Sequence, residues 1–299
     1  MAIRYDMHMH SSFSTDSDAP MEKMVVQALR LGLDGVCFTE HMDLDYPGRY
    51  FPEDPEAFCA RPDEVLTRIL QLREQYAQIP PFACGKDSTA GAMQTPTGSD
   101  SERFRIGFGL EFGMQQHLAE SFHALAERYP LDFIVASQHL VSSLDPYYPD
   151  AWEGCRPEDL IDTYYQEMLA NLREMKDWDT LAHMDYIIRY LPGRGEQVYD
   201  SMARHARIID QILGHVIDSG KCLEVNTSGY KYGLGQPNPS VSILERYRQL
   251  GGRHITIGSD AHAPEHIAFS FGRTASLLQS LGFETYCIFK DRKRFELAL

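Results

Sequence analysis

The 299-residue sequence has no run of about 18 consecutive apolar residues, the length that a membrane-spanning helix requires. Its opening residues, Met1 to Asp6, pass straight into a polar, histidine-rich stretch and lack the apolar segment of a secretory signal. A soluble, cytoplasmic protein with no membrane partner is therefore expected. Cysteine is sparse and scattered, at Cys37, Cys59, Cys84, Cys155, Cys222 and Cys287, with no Cys-x-x-Cys pair. That pattern argues for reduced structural thiols and against a redox pair or a closed zinc knuckle. Positive charge is also short: 28 Lys and Arg stand against 43 Asp and Glu, a net charge of −15. A nucleic-acid partner, which selects a basic footprint, is not expected. An anionic small molecule is compatible with this acidity where bound cations reverse the local field. No Gly-x-Ser-x-Gly motif suggests a serine nucleophile. Neither an internal repeat nor a second domain boundary is visible.

What the sequence does contain is alternation. Short apolar or β-branched runs, at Ile3–His8, Gly35–Thr39, Arg105–Glu111, Phe133–Ser137, Thr180–His183, Cys222–Val225 and His254–Ser259, read as strands. Segments of helical period separate most of them: Met21–Leu31, Asp63–Gln78, His117–Arg128, Pro157–Lys176, Val198–Ser219 and Val241–Leu250. A further helix, Pro264–Leu281, follows the last strand. This order specifies βαβ units and a parallel sheet, and the number of units favours an α/β barrel formed by the chain 1–299 as one domain. The stretch of about 46–104 stands out as an insertion, and within it 85–101, small and polar without period, is expected to be a mobile loop.

Metal-type side chains fall at the strand ends. His8 and His10 end the first strand, Glu40 and His41 the second, and Glu111 the third. His139 follows the fourth, His183 ends the fifth, Glu224 and Asn226 the sixth, and Asp260 and His262 follow the seventh. In α/β barrels the site lies at the C-terminal ends of the strands, so every strand offers a ligand at one pole. Each residue alone is more simply a satisfied structural polar group; the coincidence of all of them is the signal. His117, His123, His205, His215 and His266 fall in helical segments, and His254 lies at the opposite end of a strand; no chemistry is assigned to these six. Mixed imidazole and carboxylate donors without thiolate suit zinc, iron or manganese. A carboxylate such as Glu111 can bridge two ions, and paired ions can activate water for an in-line displacement.

The ordered motifs carry a resemblance. Asp6-Met-His-Met-His-Ser-Ser-Phe-Ser-Thr-Asp16, Thr39-Glu-His41 and Gly258-Ser-Asp-Ala-His262 resemble the first, second and last motifs of the PHP (polymerase and histidinol phosphatase) family. Between them, Gly109-Leu-Glu-Phe112, Ser137-Gln-His-Leu140, Ala182-His-Met-Asp185 and Glu224-Val-Asn-Thr-Ser-Gly229 fall in the family's order. The resemblance implies a distorted (β/α)7 barrel and a site for about three divalent ions. It places His8, His10, Glu111 and Asp260 on one ion, Glu111, His139 and His183 on a second, and Asp16, His41 and His262 on a third. Glu111, Asp260 and His262 are then the candidates for catalysis. The branch that hydrolyses L-histidinol phosphate is the most similar, with Asn226-Thr-Ser-Gly229 followed by Lys231 where Arg is commoner, and with Ser137-Gln-His139 departing from Ser-Val-His. Arg189 and Lys231 are expected to bind phosphate, Asn226 to contact the substrate, and Glu40 to meet its cationic group. Glu40 and Asp185 are also expected to orient ligand imidazoles. Tyr164-Tyr165 resembles a tyrosine pair of this branch. The expected activity is a phosphomonoesterase of histidine biosynthesis acting on a small phosphorylated substrate. The alternatives are a phosphoesterase for another small ester such as a nucleoside phosphate, an amidohydrolase-type C–N hydrolase, and a non-catalytic PHP module.

Overall fold

A computed structural model describes residues 3–77, 103–193 and 199–299. The apolar runs form one parallel sheet in chain order: β1 (Tyr5–Met9), β2 (Gly35–Met42), β3 (Arg105–Gly113), β4 (Phe133–Ser137), β5 (Thr180–Leu181), β6 (Cys222–Asn226) and β7 (Ile255–Gly258). Sequential order with every pair parallel requires the chain to return on the same face each time, which curls the sheet into a barrel. At the seam, the Asp260 N–H donates to the His8 carbonyl at 2.8 Å and the His10 N–H to the Ala261 carbonyl at 2.9 Å. These bonds stitch β1 to the chain leaving β7 at the C-terminal pole, and they place His8, His10 and Asp260 side by side. The architecture is the distorted (β/α)7 barrel expected.

The strands are buried along almost their whole length, as continuous apolar runs covered on both faces should be. Around them lie α1 (Met21–Arg30), α2 (Pro62–Gln75), α3 (Ala119–Arg128), α4 (Pro157–Glu174), α5 (Ser201–Asp218), the short α6 (Ser228–Lys231), α7 (Val241–Gln249) and α8 (Phe271–Ser280). Helix α1 buries Met21, Met24, Val25 and Ala28, the i, i+3, i+4, i+7 stripe of an amphipathic helix. Helix α4 opens on Pro157 with Glu158 and Asp159 in its first turn, a favourable combination for the unpaired N–H groups there. Its Tyr164 and Tyr165 are fully buried; the Tyr164 hydroxyl donates to the Gln138 carbonyl at 3.0 Å, beside His139. No described helix is long and apolar enough to cross a membrane.

Several boundaries differ from expectation, each for a local reason. Strand β5 stops at Leu181, two residues early, because the His183 N–H donates to the Glu224 side chain (3.0 Å) instead of a strand carbonyl. The last helix begins at Phe271, not Pro264, because Ala268 and Ser270 have positive φ and the Ala268 N–H is taken by the Asp6 carboxylate at 2.9 Å. The chain then adds an antiparallel hairpin, β8 (Thr285–Lys290) and β9 (Lys293–Ala298), which the sequence pattern did not reveal. Its two-residue turn, Asp291-Arg292, has both residues at positive φ without the usual glycine. The turn is held at the start of β4, where Asp291 and Arg292 N–H groups bond Asp132, and Phe289 stacks on Phe133 at 5.0 Å. The stretch expected as an insertion, 46–104, contains α2, the ordinary crossover helix between β2 and β3. The loop expected at 85–101 lies outside the described residues.

Candidate metal centre and its cavity

The C-terminal pole gathers its ligands around one carboxylate. Glu111, at the end of β3 and 1% exposed, has Oε1 2.9 Å from His183 Nε2, 3.2 Å from His139 Nε2 and 3.3 Å from His8 Nε2. Its Oε2 lies 3.0 Å from His41 Nδ1 and 3.4 Å from His10 Nε2, while the Ser137 hydroxyl donates to Oε1 at 2.6 Å. Beside it, Asp260 Oδ1 stands 3.5 Å from His10 Nε2 and 3.9 Å from His8 Nε2. Asp16 closes the outer side, with Oδ2 3.0 Å from His262 Nε2 and 3.5 Å from His41 Nε2. The rings of His10 and His41, and of His10 and His262, stack at 4.2 Å. All the residues expected to ligate metal thus meet in one cluster.

An outer layer of hydrogen bonds fixes which imidazole nitrogen faces inward. The Nδ1–H of His8 donates to Glu224 Oε1 at 2.7 Å, and that of His139 to Asp43 Oδ1 at 2.6 Å. His262 Nδ1 bonds the Asp260 carbonyl at 3.0 Å. His10 Nδ1 bonds the Ser14 hydroxyl at 3.3 Å, which itself donates to Glu40 Oε2 at 2.6 Å. With the proton held on Nδ1, each Nε2 lone pair is directed at the cluster, the arrangement that metal-binding histidines use.

The electrostatics show how strongly the acidic side chains act on the imidazoles, whose second proton a bound metal ion would replace. Burial opposes charge on His8, but Glu224 and Glu111 raise its pKa well above the ordinary histidine value. Burial, aided by the charges of His262 and His41, pushes His10 down to about 3. Burial works to raise Glu111 and Asp260, yet His8, His139 and His41 hold the first well below the carboxylate range. His10, His8 and Arg189 do the same for Asp260. Buried carboxylates kept ionised this firmly draw on positive charge beside them, here on the imidazoles and Arg189, where a bound divalent cation would serve the same role. Meanwhile His8 Nε2, His10 Nε2, His41 Nδ1, Glu111 Oε2 and His262 Nε2 are buried without a hydrogen-bond partner. Three overlapping triads, His8/His10/Glu111, His41/Glu111/His139 and His10/His41/His262, bring donor atoms within 4.8 Å of one another. Orphaned inward-facing donors on a preoriented set are what a divalent cation fits. His10 and His41 each join two triads, whereas the family grouping gave each to one ion.

The cluster floors a cavity of about 390 Å³. Arg189 and Lys231 line it, as do Asp145 and an aromatic wall that includes Tyr46, Phe58, Tyr148 and Tyr232. The Arg189 side chain is 3% exposed and is no solvated surface charge: Nη1 is 3.3 Å from Asp260 Oδ2, Nε donates to Asn238 Oδ1 at 2.9 Å, and Nη2 to Ser228 Oγ at 2.7 Å. Lys231 is half-buried, with Nζ 4.9 Å from the Tyr232 ring centre.

The matching family model is the PHP domain, aligned over residues 6–228. The chain belongs to the PHP family. Among curated relatives, it is 26% identical to a probable histidinol-phosphatase of Clostridium acetobutylicum over 92% of this chain and 93% of the relative. It is likewise 26% identical to the histidinol-phosphatase of Lactococcus lactis, over 97% and 96%. A crystal structure of the Lactococcus lactis histidinol phosphate phosphatase, complexed with zinc, L-histidinol and phosphate, superposes with a TM-score of 0.79 at 24% identity, covering 97% of this chain and 98% of that one. A putative histidinol phosphatase of Listeria monocytogenes superposes at 0.69 and 18% identity, over 90% and 99%. At these identities, the superpositions establish a shared fold.

Within this PHP barrel three expectations need correcting. Glu40, expected to meet a substrate's cationic group, is fully buried beneath the cluster, with its oxygens taken by Ser11 and Ser14. Its reach to an imidazole runs through Ser14 to His10. Asn226, expected to contact substrate, is fully buried; it donates to Glu224 and Asp260 and accepts from Ser228. It braces the cluster from below. Asp185 orients no imidazole: it accepts from the Asn238 side chain and the Ser240 N–H, fixing the turn before α7. Conversely, sequence reasoning assigned no role to Asp43, the partner of His139. The signal was its i+2 offset from His41, one residue past the end of β2.

Proposed function

We propose that this chain is a metal-dependent phosphomonoesterase that hydrolyses L-histidinol phosphate to L-histidinol and phosphate. The observation that carries the reading is Glu111 at the centre of five imidazoles, in the same cavity as Arg189 and Lys231. The substrate comes from the names of the relatives, which match along nearly their whole length. About three divalent ions, zinc, iron or manganese, would be held by His8, His10, Asp16, His41, Glu111, His139, His183, Asp260 and His262. When bound, such ions supply Lewis-acid charge against phosphoryl oxygens and acidify water.

The chain's own residues do the rest. Arg189 and Lys231 offset the charge of the ester's phosphate. Asp260 links the two functions, facing Arg189 with Oδ2 and His10 with Oδ1. Glu224, Asp43 and the Ser14–Glu40 pair hold the imidazoles in the ligating tautomer. The aromatic wall limits water around the bound ester, which strengthens every charge interaction inside. Hydrolysis forms one P–O bond to water oxygen, breaks the P–O bond to the alcohol, and returns a proton to the departing alkoxide. The cysteines among the described residues are unpaired, which fits a cytoplasmic setting.

The test is phosphate release by metal-reconstituted protein from L-histidinol phosphate, AMP, p-nitrophenyl phosphate and phosphotyrosine. A kcat/KM for L-histidinol phosphate at least about 100-fold above the others corresponds to about 2.7 kcal/mol of differential transition-state binding and supports the substrate. Similar slow rates on all four would retain the chemistry and remove the substrate. No release from any of them would remove the phosphatase reading.

A further inference from the structure

The cavity has another charged end whose partner the metal cluster does not supply. Asp145 lines it and is 7% exposed. Its Oδ2 accepts from the Tyr46 hydroxyl at 2.6 Å and its Oδ1 from the Tyr147 N–H at 2.8 Å. Among the described residues, no Lys, Arg or His lies within ion-pair distance of it. The charge of His139 reaches it only from beyond contact, and a buried carboxylate held by two neutral donors with no cation touching it is costly, a position that a cationic ligand completes.

The surrounding fold is built to hold that carboxylate in place. The loop after β2 and the loop after β4 clasp each other over the cavity. Tyr50 stacks on Tyr148 at 3.9 Å, nearly parallel, and its hydroxyl donates to Asp150 at 3.1 Å, while Arg49 pairs with Asp150 at 3.2 Å. Tyr46, from the first loop, fixes Asp145 on the other. Aromatic faces crowd this side: Tyr46 lies 4.7 Å from Phe58, and Tyr147 5.5 Å from Tyr190. Such faces favour a cation or a flat conjugated ring. Arg189 and Lys231 belong instead to the chain after β5 and β6, a different arc of the barrel rim.

We infer that Asp145, fixed by Tyr46, is the counter-ion for a cationic group carried by the phosphate ester, making the cavity bipolar and selective for zwitterionic amino-alcohol phosphates. The inference rests on the phosphomonoesterase reading and adds the determinant of substrate class. Asp145 acts on affinity and specificity, and the reacting atoms are held elsewhere.

The experiment compares wild type with Asp145→Asn and Tyr46→Phe, metal-reconstituted, on L-histidinol phosphate, O-phosphoethanolamine and p-nitrophenyl phosphate. Asn keeps the volume and can still accept from Tyr46, and a thermal melt checks folding. The expected result for Asp145→Asn is a loss of about 10- to 100-fold in kcat/KM on the two amine esters, mostly in KM, the size of one charged hydrogen bond. On p-nitrophenyl phosphate kcat/KM should stay within about threefold. Tyr46→Phe should show a smaller loss of the same pattern. Equal losses on all three esters, or none on the amine esters, would overturn the counter-ion role. If wild type does not favour L-histidinol phosphate, the substrate reading fails separately. The ratio of O-phosphoethanolamine to p-nitrophenyl phosphate then decides the role of Asp145.

Discussion

Replacing Glu224 by Gln alters no volume at the base of the cluster, yet the hydrogen-bond pattern there leaves an amide no good orientation. Oε2 accepts from two donors, the His183 N–H and the Asn226 side chain, each at 3.0 Å, while Oε1 accepts from His8 Nδ1–H at 2.7 Å. If the amide oxygen keeps His8, its NH2 opposes two other donors, and each bond lost in burial costs about 1–3 kcal/mol. If the oxygen turns to those donors, the NH2 faces His8 Nδ1, which must then accept. The imidazole proton moves to Nε2, 3.3 Å from Glu111, and the lone pair that faced the cluster is gone. Either outcome weakens the site. The expectation for Glu224→Gln is a divalent-metal affinity lower by about 10- to 100-fold, or about 1.4–2.7 kcal/mol, with activity falling in parallel at limiting metal. A competition titration against a chromophoric chelator measures it, with the melt of the chelated protein as the control for folding. Wild-type metal affinity in a folded Glu224→Gln protein would refute the tautomer argument.

Further outcomes follow from single contacts. Asp43→Asn should weaken metal binding through His139 in the same assay, by about tenfold or more, because the 2.6 Å charge-assisted bond to Nδ1 is lost. Arg189→Lys keeps the charge but forfeits the bonds to Asn238 and Ser228, so kcat/KM for any phosphate ester should drop about tenfold or more, read by steady-state phosphate release. Gly258→Ala would drive a methyl group into His8 Cβ and to 2.7 Å from Glu224 Oε1. The overpacking should cost about 1–3 kcal/mol and lower Tm by about 2–12 °C in a calorimetric scan. Removing metal with a chelator should abolish phosphate release and lower Tm, and adding back zinc or manganese should restore both.

Alternation of apolar strands with helical segments determined the βαβ order and the parallel sheet from sequence, because a strand buried on both faces must be apolar along its length. Closure into a barrel was only favoured by the number of units and was decided by the seam between β1 and the chain after β7. Most of the ligand set was also local information: apart from Asp16, which only the resemblance to the family motif supplied, each residue sits at or just past the end of a run, and a period-two strand fixes which side its side chain faces. The hairpin at Thr285–Ala298 escaped because its Asp291-Arg292 turn adopts positive φ without Asn-Gly, held there by Asp132 far away in sequence. The early end of β5 escaped for the same reason, a backbone donor captured by Glu224. Tertiary structure alone decided which polar residues lie under the cluster and which face the cavity. Glu40, in β2, and Asp145, in the loop after β4, are both acidic, and nothing in either neighbourhood says that Glu40 is sealed beneath His10 while Asp145 faces the cavity. That distinction comes from how the loops after β2 and β4 close on one another. Partners distant in the chain meet only in the folded barrel, so their effect on charge and access is written in the packing.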